Sequence, residues 1–437
     1  MTLPGAPFLA RDGAVLRFEG HDLAALARRY GTPLYVYSRR AMLAALQAYQ
    51  QALRGRPHLV CYAMKANSSL AVLQTFAQAG CGFDIVSGGE LARVLAAGGD
   101  ASRVVFSGVG KTRAEMSQAL HAGVRCFNVE SVAELDLLNA EALALGRRAP
   151  VSLRVNPDVD AGTHPYISTG LKDNKFGIAH GQALAAYRHA ASLQGLQVAG
   201  IACHIGSQIT QLEPYLDALD RVLDLVDAVR AAGIDIHHVD VGGGLGITYT
   251  DEQPPGADEL VLRLLQRLDA RGHGHRELLL EPGRSLVGNA GVLLTEVLYL
   301  KPGADEHAAG GDSGKNFCIV DAAMNDLMRP ALYDAWMAIE PCLQRQAPAQ
   351  RWDVVGPVCE SGDWLGRDRR LAVAPGDVLA VLSAGAYGMA MASNYNTRPR
   401  AAELMLDGAQ VHLIREREDV ATLFAGERLL PPPATAS

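Results

Sequence analysis

The chain has 437 residues, 49% of them hydrophobic, with 45 glycines and 21 prolines, which is enough to bury one large core and a second smaller one. Its 40 Lys and Arg against 47 Asp and Glu leave a net charge of -7 with no basic run, arguing against nucleic acid and anionic membranes as partners and leaving small molecules. Seven cysteines without a C-x-x-C pair, no run of about 18 apolar residues and no signal-like start predict a cytoplasmic protein that keeps its thiols reduced.

The first thirty residues offer one strand-like stretch, "AVLRFEG". From residue 58 onward short β-rich runs recur at 58–63, 82–86, 103–106, 124–128, 150–155, 197–203, 237–241 and 277–281. Most are followed by helical periodicity, as in "SVAELDLLNAEALALG" and "YLDALDRVLDLVDAVRAAG". Eight strands with helical crossovers predict a (β/α)8 TIM-like barrel over 32–284, with a doubly wound sheet as the alternative. Beyond Arg284 the runs "GVLLTEVLYLK", "NFCIVDA", "WDVVGPVC", "RLAVAPGDVLAVLS" and "QVHLIRERE" predict a second, mainly β domain over 285–437, which residues 1–31 join through the N-terminal strand. "KPGADEHAAGGDSGKN" reads as a Gly-rich loop and "ERLLPPPATAS" as a loose tail.

Functional groups of such barrels gather at the carboxyl ends of the strands. Just past each expected strand stand Lys65, Asp84 with Ser87, Ser107, Asn128 with Glu130, Arg154 with Asn156, His204, Gly242 to Gly244, and Glu281 with Arg284. In "HLVCYAMKANSS" an apolar run ends at a single lysine, and an ammonium near a buried strand end is costly unless paired or used. The plain reading is a solvated strand end. The chemical reading is a desolvated nucleophile whose pKa falls and whose amine forms a Schiff base.

Two nucleotide signatures almost occur and both fail. In "SGVGKT" the first glycine of a phosphate loop would fall at Val105, and in "VGGGLGI" the last glycine of a dinucleotide fingerprint would fall at Ile247. Gly242, Gly243 and Gly244 still let backbone N–H groups approach an anion, and the usual barrel phosphate site lies between the loops here reading "GGGLG" and "EPGR". Alone, His204 reads as a structural histidine, and Glu281 with Arg284 as a rim ion pair. Together, a lysine nucleophile, a phosphate cradle, a flat ring and a carboxylate meet the needs of pyridoxal 5'-phosphate; no metal is expected.

The residues resemble those of the fold-type III pyridoxal-phosphate enzymes, and within them the diaminopimelate decarboxylase family, over nearly the whole chain. The resemblance rests on "YAMKAN", "FDIVSGGEL", "NPDVDAGTHPYISTGLKDNKFGI", "HIGSQI", "GGGLGI", "EPGRSLVGNAG", "DAAMNDLMRPALYDA", "GPVCESGDWLG" and "GAYGMAMASNYNTRPR" in the family's order. It implies that Lys65 holds the cofactor with Asp84 close by, that His204 stacks on its ring and that Glu281 pairs with its pyridine nitrogen. The phosphate then falls to Gly243, Gly244, the Glu281 to Arg284 turn with Gly283, and Tyr387. Arg284, Arg329, Tyr333, Glu360 and Tyr387 match substrate-binding positions, and Cys359 matches the proton donor. The family fold is an alanine-racemase-like barrel plus a β domain working as a head-to-tail homodimer, so Cys359 and Glu360 are expected to enter the neighbouring subunit's site.

The activity implied is decarboxylation of meso-2,6-diaminopimelate to L-lysine and CO2, the last step of lysine biosynthesis. Two arginines suit the distal carboxylate and Glu360 the distal ammonium. Rival readings are a same-fold decarboxylase of D-ornithine, D-lysine, ornithine or arginine, an amino-acid racemase, and a non-catalytic cofactor carrier. Substrates without a distal carboxylate make less use of the arginine pair, a racemase does not need the Cys359 thiol, and a carrier does not need the second domain.

Overall fold

The computed structural model describes residues 2–160, 175–303 and 314–432. Eight parallel strands close a barrel: His58–Ala63, Gly82–Ile85, Val104–Phe106, Cys126–Val129, Ala149–Asn156, Leu196–Ala202, His238–Asp240 and Glu277–Leu280. Each pairs with the next, and the eighth returns to the first with Leu278 beside His58. The closed ladder rules out the doubly wound alternative. Of the expected helical runs, one becomes Val132–Ala144, capped by the Ser131 side chain accepting the Glu134 N–H, and another Glu213–Ala231. Thr112 and Glu115 exchange the reciprocal bonds of a capping box at the start of Arg113–Ala122.

Strand alternation sorts the barrel residues into two faces. Leu59, Cys61, Val105, Cys126 and Leu279 form an apolar plug inside the barrel, whereas Val60, Tyr62, Phe83, Phe106 and Phe127 join the large core under the helices. Tyr62, for example, meets Phe76 of helix Leu70–Gln78 with ring centroids 4.4 Å apart. Continuing the inward-facing parity toward the carboxyl ends, Gly82 leads to Asp84, Cys126 to Asn128, His238 to Asp240 and Leu279 to Glu281. The floor of the barrel is therefore greasy and its upper layer polar, and all four upper-layer side chains are buried.

The β domain is built on a sheet ordered Trp364–Leu371, Gln350–Val355, Phe317–Val320, Gly291–Lys301, Leu34–Ser38, Ala402–Asp407 and Gln410–Arg415. Leu34–Ser38 lies just past the boundary at 32 that the sequence suggests, yet runs antiparallel to Gly291–Lys301 and parallel to Ala402–Asp407. The stretch "LYVYS" is buried at every position and keeps no polar face for solvent, so it fits only the middle of a sheet. "AVLRFEG" instead contributes to a separate small sheet, Leu9–Asp12, Val15–Phe18 and His21–Asp22, joined to the β domain by the Val15–Leu343 bridge and the packing of Leu16 and Phe18 near Val292 and Leu294. Residues 161–174 of the "NPDVDAG" motif, 304–313 of the Gly-rich loop and 433–437 of the tail lie outside the described residues. No helix among the described residues is long and apolar enough to cross a membrane.

Candidate active site

The first barrel strand ends at Ala63 and passes into a single helical turn, Met64–Ala66, that carries Lys65 to the barrel mouth. Lys65 Nζ donates to Asp84 Oδ2 at 2.7 Å; the Asp84 side chain is wholly buried, while that of Lys65 is 41% exposed. Burial works to lower the lysine pKa, but the Asp84 carboxylate outweighs it and holds the ammonium above the ordinary lysine value. This corrects the expectation of a lowered pKa: in the protein alone Lys65 is a stabilised ammonium, because Asp84 stands directly across from Ala63 in the neighbouring strand. Two later segments clamp the turn. Tyr387 N–H donates to Ala66 O at 2.7 Å from a left-handed backbone with φ of 55°, and a Cβ on Gly283 would stand 3.2 Å from Ala63 O.

His204 follows the sixth strand and accepts the Gly243 N–H on Nδ1 at 3.2 Å, which assigns the ring proton to Nε2. Burial, then the positive charges of Arg154 and Lys65, push its pKa well below the ordinary histidine value, so the ring is neutral and flat. The neighbouring backbone is pressed so close that a Cβ on Gly243 would lie 2.0 Å from Glu281 O, and one on Gly244, whose φ is 102°, 2.3 Å from Gly206 O. The loop after strand seven and the turn after strand eight thus touch, beside the start of helix Arg284–Val287, whose first N–H groups have no partners within the helix.

Behind Lys65 three buried acids, Asp84, Asp240 and Glu281, crowd one layer. Asn128 Nδ2 reaches Ser107 Oγ at 3.1 Å, Glu281 Oε1 at 3.3 Å and Asp240 Oδ2 at 3.5 Å, and Asp240 Oδ1 accepts the Gly242 N–H at 2.8 Å. Burial, then repulsion from Asp240 and Asp84, raises the Glu281 pKa well above the carboxylate range, so it keeps a proton and donates it to Asp240. Asp240, buried too, is pushed up to about 6. Asp84 Oδ1 and Asn128 Oδ1 are buried without hydrogen-bond partners among the described residues.

Arg284 does not pair with Glu281 as a rim ion pair. Its Nη1 donates to Tyr249 OH at 2.6 Å, its Nη2 to Ser207 Oγ at 2.9 Å, and its guanidinium lies 5.0 Å from the Tyr387 ring centre. Arg329, at the head of helix Arg329–Tyr333, donates through Nη1 to the same Tyr249 OH at 2.5 Å. Two buried guanidiniums therefore share one phenol, with no carboxylate within 4.0 Å of either among the described residues. Both arginines pull the Tyr249 pKa down against its burial, to below the ordinary tyrosine value. Tyr333 sits close enough to Arg284 to favour its charge.

Cys359 and Glu360 are not part of this group. Both are exposed; Cys359 N–H donates to Asn396 Oδ1 at 3.2 Å and Glu360 Oε1 accepts from Tyr395 OH at 2.6 Å, so they form a separate cluster on the β domain. Sequence reasoning brings out every other member of the barrel-mouth group except Asp240, Tyr249 and Ser207. An aspartate inside the apolar "HHVDVGGG" is a signal that was available for Asp240; "GITYTDE" carries none for Tyr249.

These residues fit pyridoxal phosphate: a lysine at the mouth, glycine backbone packed too closely for side chains, a flat neutral ring, and buried carboxyl and amide oxygens left without hydrogen-bond partners among the described residues. Fold and site together define a barrel-type pyridoxal-phosphate enzyme. The family model described as "Pyridoxal-dependent decarboxylase, pyridoxal binding domain" matches residues 39–288. The chain is 60% identical to diaminopimelate decarboxylase of Pseudomonas aeruginosa over 97% of this chain and 99% of that one, and 58% identical to that of Vibrio cholerae over the same shares. Among solved structures, diaminopimelate decarboxylase of M. jannaschii in complex with L-lysine matches with a TM-score of 0.91 at 39% identity, over 98% of this chain and 99% of that one. The chain belongs to the diaminopimelate decarboxylase family of pyridoxal-dependent decarboxylases.

Proposed function

We propose that this enzyme removes CO2 from the D-centre of meso-2,6-diaminopimelate to give L-lysine, in the cytoplasm, as a homodimer with shared active sites. The observation that carries the substrate assignment is the pair of buried arginines, Arg284 and Arg329, held by Tyr249 without an acidic partner among the described residues. A substrate with a second carboxylate supplies the missing anion, and a planar fork suits it better than an ammonium does. The relatives named above carry the same activity, and one of them was solved with L-lysine bound.

When bound, pyridoxal phosphate supplies an electron sink for the pair released as the carboxylate leaves. In this reading Lys65 would tether it, Asp84 orients the lysine, and the neutral His204 would pack against its ring. Gly243, Gly244, Gly283, Arg284 and Tyr387 receive the phosphate. Glu281 holds at its carboxyl the proton that the pyridine nitrogen needs. Arg329, Tyr333 and Tyr387 position the substrate from one subunit. Cys359 Sγ and Glu360, exposed on the β domain, would serve the partner's site, Cys359 by holding at Sγ the proton that replaces the lost carboxylate and Glu360 by accepting from the distal ammonium.

The test is CO2 release from meso-diaminopimelate, L-lysine, D-lysine and D-ornithine, with the amino-acid product identified. Release from meso-diaminopimelate alone, yielding L-lysine, is expected. Comparable release from a substrate lacking the distal carboxylate would overturn the assignment of the arginine pair.

A further inference from the structure

Between the segment after Lys65 and the β domain lies a second cavity, of about 250 Å3. Ser68, Ser69 and Arg93 line it from the barrel side, and Arg400, Glu403 and Arg415 from the β domain. Its wall is basic. Arg93 Nη1 donates to Ser68 O at 3.0 Å and has no carboxylate within 4.0 Å among the described residues. Arg415 Nη1 stands 3.8 Å from Glu403 Oε2, while Arg400 Nη1 is bonded to Glu418 Oε1 at 2.9 Å. With Glu403 and Glu418 set against three guanidiniums, the balance is about one positive charge.

Glu403 makes the cavity more than a basic patch. Its side chain is 1% exposed, Oε1 accepts from Tyr37 OH at 2.7 Å, and Oε2 has no hydrogen-bond partner among the described residues. Burial raises its pKa, and Tyr37, Arg415 and Arg93 work against that rise. A buried acceptor left unmatched costs about 1–3 kcal/mol, and more when charged. The site therefore asks for a ligand with two kinds of group: anionic oxygens for the guanidiniums and serine hydroxyls, and one donor for Glu403 Oε2.

An oxyanion that still carries a proton has both. We propose that this cavity binds inorganic phosphate, its P–OH donating to Glu403 Oε2 and its other oxygens accepting from Arg93, Arg415 and the serines. The site is distinct from the cradle of Gly243, Gly244 and Arg284. Because Ser68 follows Lys65 by three residues, an occupied cavity ties the lysine-bearing segment to the β domain. Sulfate has the same shape and, at neutral pH, no proton to give, so the carboxylate selects against it.

The experiment is calorimetric titration of the cofactor-loaded enzyme, whose barrel cradle is filled, with inorganic phosphate and then with sulfate, in a chloride buffer at pH 7. Expected are saturable phosphate binding at one site per chain and sulfate binding at least tenfold weaker. Arg93→Ala with Arg415→Ala should weaken phosphate binding at least tenfold while cofactor absorbance is unchanged, and Glu403→Gln should narrow the gap between the two anions. Absence of saturable phosphate binding by the wild type, equal affinity for sulfate, or undiminished binding by the arginine double variant would each overturn the proposal. Should the double variant fail to hold cofactor, the phosphate-to-sulfate ratio in Glu403→Gln decides: an unchanged ratio removes Glu403 and the proposal with it.

Discussion

Glu281 donates its carboxyl proton to Asp240 in the layer beneath the barrel mouth, and the two acids, at the ends of adjacent strands, titrate together. The arrangement comes from strand parity, which turns both side chains inward above an apolar plug where water cannot separate their charges.

It has a pH consequence. Asp240 has a folded pKa of about 6, above its ordinary value of 3.8, so between those values the native state binds more protons than the unfolded one. The contribution of Asp240 to the stability of the cofactor-free protein should therefore fall as pH rises from about 4 through 6, and Asp240→Asn should remove that contribution, so that the fall appears as the difference between variant and wild type. At pH 8 the asparagine variant should be more stable by roughly 2–3 kcal/mol, from about 1.4 kcal/mol per pKa unit. Denaturant unfolding at several pH values measures it; parallel curves for variant and wild type would remove Asp240 from the coupled pair.

Lys65→Ala should lose turnover and the visible absorbance of the lysine-bound cofactor. A spectrum identical to that of the wild type would refute the assignment of this lysine.

Cys359→Ala should keep the cofactor spectrum and lose most turnover. Mixing it, after subunit exchange, with Lys65→Ala should restore up to about a quarter of wild-type activity, because mixed dimers hold one site with both groups intact. No recovery in a mixture that demonstrably exchanges subunits would place Cys359 in its own subunit's site, or outside the chemistry altogether.

Tyr249→Phe removes the phenol oxygen between Arg284 and Arg329 and leaves two like charges facing each other. A rise in KM for meso-diaminopimelate of about tenfold to a hundredfold is expected, with a smaller change in kcat, as for a lost charge-assisted bond of roughly 1.5–3 kcal/mol. Steady-state kinetics with an unchanged KM would count against the bridge.

Gly243→Ala places a methyl where Glu281 O already stands, at 2.0 Å. The two loops must part, so cofactor retention on gel filtration should drop sharply and the thermal midpoint should fall. Full retention would show that the loops can separate at little cost.

Much of the barrel was legible in the chain because its strands are short apolar runs with turn signals at both ends, and all eight ends lie within two residues of where the runs predict them. Lys65, Asp84, His204, Gly243, Gly244, Glu281 and Arg284 were legible for the same reason: once a barrel is assumed, strand ends point to one mouth. The position of Leu34–Ser38 was not, since a run buried on both faces reads the same in a barrel as in the middle of an open sheet.

Local pattern thus determined which residues are strand, which are helix and which side chains stand at the carboxyl ends, since both periodicity and turn chemistry are set by near neighbours in the chain. Only the tertiary structure decided how those side chains are charged. Asp84 keeps Lys65 an ammonium, Asp240 keeps Glu281 an acid, and Tyr249 joins two arginines 45 positions apart in the chain, from Arg284 to Arg329. Protonation depends on distances of a few ångströms inside a low-dielectric interior, between groups that spacing along the chain does not place.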